Sequence, residues 1–255
     1  MSGEWLIPDW HADARVGARV TTRAGGVSAP PWDSMNLGLG SGDARESVLA
    51  NRERLAAAIG ATPVFMRQVH GARVIRVDAD SARADAQEAD ASWTDMPGVA
   101  CTVLVSDCLP VLLAAPRARA VGAAHAGWRG LSAGVVEACA RAVCSAAACA
   151  PHELAAWLGP CIGRDAFEVG ADVLVAFGIA PAAGDRPRFR YAPRADGDAR
   201  WRADLAGLAR DRLAALGVTR VSGGTWCTVQ DRSRFFSFRR DGVTGRMAAA
   251  VWIAR

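Results

Sequence analysis

Three side chains able to hold a metal or carry out nucleophilic chemistry fall at the ends of apolar segments: His70 in RQVHG, Cys108 in SDCLPVLL and His125 in VGAAHAGWRG. Their separations, 38 and 17 residues (108 − 70 and 125 − 108), exclude a zinc finger, whose ligands come in close pairs. Two imidazoles and a thiolate nonetheless make three protein ligands for a tetrahedral zinc, with a fourth position open to water or substrate. That is the composition of a catalytic site; structural zinc sites are closed by four protein ligands. A plainer reading stands beside it. Cysteine is among the residues most often buried, and a lone histidine is commonly a satisfied core or surface group. Residue type and spacing leave both readings open.

Composition narrows the chemistry. The sequence holds only four histidines (His11, His70, His125, His152) and a single tyrosine, Tyr191, so acid–base or metal chemistry draws on very few groups. All 30 basic residues are arginine, which excludes a lysine Schiff base, a pyridoxal-phosphate enzyme and a lysine-bearing P-loop. The net charge of +4 is spread along the chain with acidic residues interleaved, which favours anionic small molecules over nucleic acid as partners. Seven scattered cysteines read as reduced thiols, and no Cys-x-x-Cys or complete dinucleotide-binding glycine pattern occurs. No apolar run approaches the roughly 20 residues of a membrane helix, and the N-terminus lacks a secretory pattern, so the expectation is a cytoplasmic protein without membrane contact.

The elements that must position the three residues are short apolar runs. VACTVLV, PVLLAA and AVGAAHA read as strands, with Cys108 just before the second and His125 at the end of the third. VFMRQVHG and ARVIRVD read as consecutive strands about Gly71, RVGARV as an early strand, AAWLGPCIG, RFFSFRR and RMAAAVWIA as later ones. A helix is expected after Asp43, which forms a capping box with Glu46 and ends at Gly60; others cover SAGVVEACARAVCSAA and ADLAGLARDRLAALG. No repeat or linker divides residues 1–255, so mixed strands with interspersed helices predict one α/β domain. His11 and His152 sit in polar surroundings and read as surface residues, whereas Cys161 and Cys227 lie at strand ends.

Five ordered blocks carry a resemblance: RQVHG, ADASWTDMPGVACTVLVSDCLPVLL, VGAAHAGWRGL, LGPCIG and FFSFRRDGVTGRMAA, preceded by MNLGLGSGDARESVLANRERL. Together they resemble the YfiH-like laccase-domain family across nearly the whole chain. The resemblance implies a single-domain α/β sandwich of mixed β-sheets with flanking helices, similar to the catalytic domain of cytotoxic necrotizing factor. It implies a zinc-dependent purine nucleoside phosphorylase acting on adenosine, inosine, guanosine and methylthioadenosine, with adenosine deaminase activity, and it implies His70, Cys108 and His125 as metal ligands. Purine nucleoside and phosphate are then the small-molecule partners, and no obligate protein partner is implied.

Two other readings accompany this one. A Cys-His hydrolase or amidase, with Cys108 as nucleophile and His125 as base, fits the deamidase cousin and a proposed editing role on peptidoglycan precursors. A conventional laccase cannot be assembled from four histidines, although Cu²⁺ could occupy the same three-ligand site as a polyphenol oxidase centre. For substrate contacts the expectation is Arg129, in GWRG, as first choice for the anion, with Asn36, Gln68 and Arg239 as further candidates. Asp107 adjoins Cys108, and in an extended chain its carboxylate points away from the thiolate, so it is expected to be a structural group and not a ligand.

Overall fold

A computed structural model describes residues 5–255 and resolves three β-sheets. One has four strands in the order β1 (Val16–Val20), β13 (Met247–Ile253), β5 (Val99–Val105), β2 (Thr62–Phe65). The second has six, in the order β12 (Arg220–Gly223), β8 (Ala155–Leu158), β6 (Leu109–Ala114), β7 (Val121–Ala126), β4 (Ala91–Thr94), β3 (Val74–Arg76). The third is a small sheet of β10 (Phe189–Tyr191), β11 (Trp201–Ala203) and β9 (Glu168–Val169). β2–β5, β3–β4 and β8–β12 run parallel and the remaining pairs antiparallel, which makes the two large sheets mixed.

The central strands are buried on both faces, and their sequences show it. Every residue of β13, β6 and β7 is buried, so these strands read as continuous apolar runs. Alternate side chains still part company. Val99, Cys101 and Val103 of β5, with Ala249 and Val251 of β13, meet Leu112, Val121, Ala123 and Trp157 of the six-stranded sheet in one shared core. On the far side of the four-stranded sheet, Ala100, Ala248 and Ala250 pack against Leu55 and Ile59 of α1 (Arg45–Ile59). On the far side of the six-stranded sheet, Val111, Leu113 and Ala124 pack against Val136, Ala140 and Val143 of α3 (Val135–Ala147) and Leu208 and Ala209 of α5 (Leu205–Ala215). The layers therefore run helix, sheet, sheet, helices. Three short helices, α2 (Trp128–Ser132), α4 (Ala171–Ala176) and α6 (Phe238–Asp241), complete the chain.

Three local expectations are corrected. The strands expected about Gly71 form but stop short of it: β2 ends at Phe65 in the four-stranded sheet and β3 starts at Val74 in the six-stranded one, so His70 lies in the loop between them and not at a strand end. RFFSFRR forms no strand: Phe235 and Phe236 are buried in a turn, and the Ser237 hydroxyl accepts a hydrogen bond from the Arg240 N–H (3.2 Å), capping α6. The capping box after Asp43 does not form either, because that carboxylate accepts hydrogen bonds from the Asn36 amide (2.9 Å) and the adjacent Ala44 N–H (2.8 Å) instead. The helix still runs to Gly60, whose φ of 63° supplies the left-handed end.

Trp157, 1% exposed and 5.4 Å from Trp226 between ring centres, fills the space between the two large sheets. Trp157→Ala is expected to lower unfolding free energy by about 3–5 kcal/mol in chemical denaturation, because the cavity cannot close between two hydrogen-bonded sheets.

Candidate active site

Two of the three candidate ligands ride on segments that pass from one large sheet to the other. Residues 66–73 lead from β2 to β3 and carry His70; residues 106–108 lead from β5 to β6 and carry Cys108. The third, His125, lies in β7 opposite Pro110. It shares strand parity with Val121 and Ala123, which face the core between the sheets. Topology thus brings all three to one end of the sandwich. Their ligand atoms lie within 4.8 Å of one another, with Cys108 Sγ 3.8 Å from His70 Nε2 and the imidazole centroids 4.8 Å apart at 72°. Bond lengths of a tetrahedral Cys/His zinc site imply S···N separations of about 3.5 Å, so only a small contraction is needed.

Asp90, just before β4 and wholly buried, holds this arrangement. Its carboxylate accepts hydrogen bonds from the backbone N–H groups of Val69 (3.1 Å), His70 (2.9 Å) and Gly71 (2.7 Å), and from His125 Nδ1 (2.8 Å). His70 sits at φ 62°, a left-handed conformation that a non-glycine residue keeps only when its surroundings enforce it. Three successive N–H groups converging on one carboxylate supply that enforcement. The fourth bond fixes the proton of His125 on Nδ1 and leaves Nε2 free for a metal, the usual carboxylate–histidine–metal relation. The donor set therefore fits a zinc or copper ion. Gly127 closes the floor, since a Cβ there would lie 2.9 Å from Cys108 Sγ and 3.0 Å from His70 Cδ2.

Charge inside the group is strongly coupled. Burial pushes the Cys108 thiol up, but the charge and hydrogen bond of His125, with His70 adding to them, outweigh it and hold the thiol below its ordinary value. Burial opposes protonation of His125, yet the Cys108 thiolate and the Asp90 carboxylate raise its pKa overall. Burial likewise pushes the Asp90 carboxyl up, and hydrogen bonds from His125, Gly71 and Val69 bring it below the usual range. Above the three residues opens a cavity of about 800 Å³, within the range of small-molecule sites.

A family model described as multi-copper polyphenol oxidoreductase laccase matches residues 17–254. The chain belongs to this YfiH-like laccase-domain family. It is 49% identical over 249 residues to a purine nucleoside phosphorylase of Pseudomonas aeruginosa, covering 98% of each chain. It is 43% identical to the purine nucleoside phosphorylase YfiH of Escherichia coli, covering 97% of this chain and 98% of that one. Among solved structures, a Neisseria meningitidis protein superposes with a TM-score of 0.88 at 42% identity, covering 99% of this chain and all of that one. YlmD from Geobacillus stearothermophilus gives 0.88 at 32% identity, covering 100% and 98%.

Within this laccase-domain fold the other expected site residues are dispersed. Arg129 is exposed on α2, its guanidinium 4.2 Å from the Trp128 ring centre, and it lies outside the cavity lining. Asn36 is wholly buried and committed to structure: its amide donates to Ser41 Oγ and Asp43, and its oxygen accepts from the Gly38 and Arg246 N–H groups. Gln68 lines the cavity but pairs both ends of its amide with the backbone of Leu104, fixing the His70 loop to β5. Arg239 stands at the rim, donating to the Glu168 carbonyl (3.1 Å). Asp107 accepts hydrogen bonds from Thr228 Oγ1, Ser237 Oγ and the Arg239 N–H, and remains outside the ligand group. Cys161 and Cys227 pair as a β-bridge, and His11 and His152 are exposed elsewhere. Asp90, Gly127 and two further cavity arginines, Arg52 and Arg246, escape sequence reading.

Two titrations check the electrostatics in metal-free protein. The Cys108 thiolate, followed by its absorbance near 240 nm against a Cys108→Ser reference, is expected to appear below the ordinary thiol pKa of about 8.5. In His125→Ala it is expected to rise, since only His70 then opposes burial. Because the folded-state pKa of Asp90 is depressed, its stabilisation is complete above the unfolded value of about 3.9 and is lost as pH falls through the lower folded value. Asp90→Ala is expected to lose about 3 kcal/mol or more at neutral pH and to show a shallower acid transition.

Proposed function

We propose that this chain, as one domain over residues 1–255, is a metal-dependent purine nucleoside phosphorylase that also deaminates adenosine. The observation that carries the reading is the convergence of His70, Cys108 and His125, oriented by Asp90, on the floor of one nucleoside-sized cavity. The phosphorylase names of relatives 38–49% identical over almost the whole chain support it. Proposed substrates are adenosine, inosine, guanosine and methylthioadenosine, with phosphate. His70, Cys108 and His125 would hold the ion, Zn²⁺ by preference and Cu²⁺ as the alternative, since both suit imidazole and thiolate. When bound, the ion would supply a Lewis acid beside the substrate.

The rest of the chemistry belongs to the protein. In phosphorolysis a phosphate oxygen bonds to ribose C1′, the C1′–N9 bond breaks, and its electron pair leaves on the purine, which takes up a proton. Trp128, Phe167 and Phe238 line the cavity and offer apolar faces to the base. In deamination water replaces the C6 amino group of adenosine, releasing ammonia and inosine. The low, enclosed polarity around Asp90 keeps the His125 ring in one orientation through either reaction.

A second reading has its own observation. Asp90, His125 and Cys108 form a carboxylate–imidazole–thiol series in the order a cysteine hydrolase uses, which suits an amidase editing peptidoglycan precursors. Metal content separates the two, because a stoichiometric ion on Cys108 occupies the nucleophile.

Purified protein supplied with adenosine and phosphate is expected to release adenine and ribose 1-phosphate, to lose that activity on chelation, and to regain it with zinc. Elemental analysis and re-loading with copper identify the metal, and inosine formed without phosphate reports the deaminase. Cys108→Ala is expected to abolish both activities with little change in unfolding midpoint. A metal-loaded sample that turns over no purine nucleoside overturns the proposal.

A further inference from the structure

We propose that Arg52 and Arg246 form a phosphoryl-dianion subsite in the cavity above the three candidate ligands. The identity of the anion as inorganic phosphate rests on the phosphorylase reading; the subsite itself rests on the following geometry.

Four guanidiniums line the cavity, Arg52, Arg67, Arg239 and Arg246, against one carboxylate, Asp107. That carboxylate is already engaged by Thr228, Ser237 and the backbone of Arg239, and Arg67 is neutralised by Glu88 at 2.7 Å. Arg239 is exposed at the rim and turned towards the Glu168 carbonyl. Arg52 and Arg246 are half-buried, and neither has an ion-pair partner among the described residues.

Backbone carbonyls fix both side chains without neutralising them. Arg52 Nε donates to the Leu37 carbonyl (3.0 Å), and its guanidinium carbon sits 3.8 Å over the Phe65 ring centre. Arg246 Nη1 donates to the Thr244 (2.9 Å) and Gly245 (3.0 Å) carbonyls. Both terminal nitrogens of Arg52, and Nε and Nη2 of Arg246, are left without a protein acceptor among the described residues. One backbone segment ties the two together: Leu37 accepts from Arg52 and donates its N–H to the Arg246 carbonyl (3.0 Å). Next to it, a Cβ on Gly38 would fall 2.7 Å from Arg246 Cγ, so only glycine lets Arg246 lie along this loop.

Withdrawing a guanidinium from water without a counter-charge is unfavourable, and the cost appears as a weaker hold on the proton. Burial, with Arg45 adding repulsion, pulls Arg52 down to about 10, and burial lowers Arg246 as well, against the opposing pull of the Cys108 and Asp107 charges. Both stay charged at neutral pH. Two forks with no ion-pair partner among the described residues, held by backbone carbonyls and by the Phe65 and Phe238 rings, suit a doubly charged tetrahedral oxyanion, which takes paired N–H donors from each. The same chemistry would accept the phosphate of a nucleotide, so the test carries an arm for each source.

The test is calorimetric titration of inorganic phosphate, and separately of AMP, into the whole protein, alongside KM measurements for phosphate and adenosine. Arg52→Met and Arg246→Met are each expected to weaken phosphate binding about tenfold or more and to raise KM for phosphate in step, with KM for adenosine within about twofold. Arg54→Met, which removes an equal charge from the exposed face of α1, is expected to change neither. Gly38→Ala keeps both charges and is expected to weaken phosphate by displacing Arg246, which covers the case of an arginine variant that fails to fold. AMP binding that depends on both arginines, with no binding of inorganic phosphate, would reassign the anion to a nucleotide and overturn the phosphate subsite. Phosphate affinity indifferent to both arginines and to Gly38 would overturn it with the phosphorylase reading intact. Phosphate binding through both arginines without turnover of any nucleoside would do the reverse.

Discussion

A single buried carboxylate underlies the arrangement of the whole site. Asp90 collects three consecutive backbone N–H groups and one imidazole N–H, and these four bonds serve three purposes. Two stabilise the turn around His70, one pins His70 itself in its left-handed conformation, and one sets the tautomer of His125. Without an acceptor at that point the three inward-turned N–H groups of the His70 loop would lose their partner, and the imidazole of His125 would be free to turn. The geometry of the ligand set is therefore second-hand: it is borrowed from Asp90, which touches neither the thiolate nor the open side of the cavity.

The sandwich supplies the other half of the constraint. β6 and β7 lie inside a sheet that is covered on both faces, so their ends are fixed by hydrogen-bonded neighbours and by packing above and below. Cys108 and His125, placed at those ends, inherit that rigidity. His70 does not, because it lies on a loop between sheets, and its position depends on Asp90 and on the Gln68 amide bound to Leu104. Two ligands are thus held by the sheet and the third by side chains tethering its loop.

Much of this could be read from the residues. The strands carrying Cys108 and His125 are legible because strands buried on both faces are continuous apolar runs broken by Gly and Pro, and the two reactive side chains mark the breaks. Helices with a terminal glycine, such as α1 ending at Gly60, are equally plain. What escapes is whatever depends on distant partners. Asp90 looks like any acid before a strand, since its donors come from residues 69–71 and 125. Arg52 carries no signal of its own within the helix, and only the tertiary fold sets it over Phe65. Arg129 attracts notice by standing near His125 in sequence, yet the turn into α2 carries it outward. RFFSFRR has the composition of a strand, but Phe235 and Phe236 are buried against Val105 and Met247 and Ser237 caps a helical turn instead.

The path of residues 66–73 and 106–108 from one sheet to the other has a consequence for energetics as well as position. A group held by His70, Cys108 and His125 would fasten two crossings and a strand, acting as a clasp on the mouth of the sandwich. Whatever occupies that clasp is coupled to the seam between the sheets, so its binding free energy and the packing of the two sheets are linked. Repacking deep in the intersheet core, far from any ligand atom, then becomes a means of tuning how tightly the mouth holds its contents.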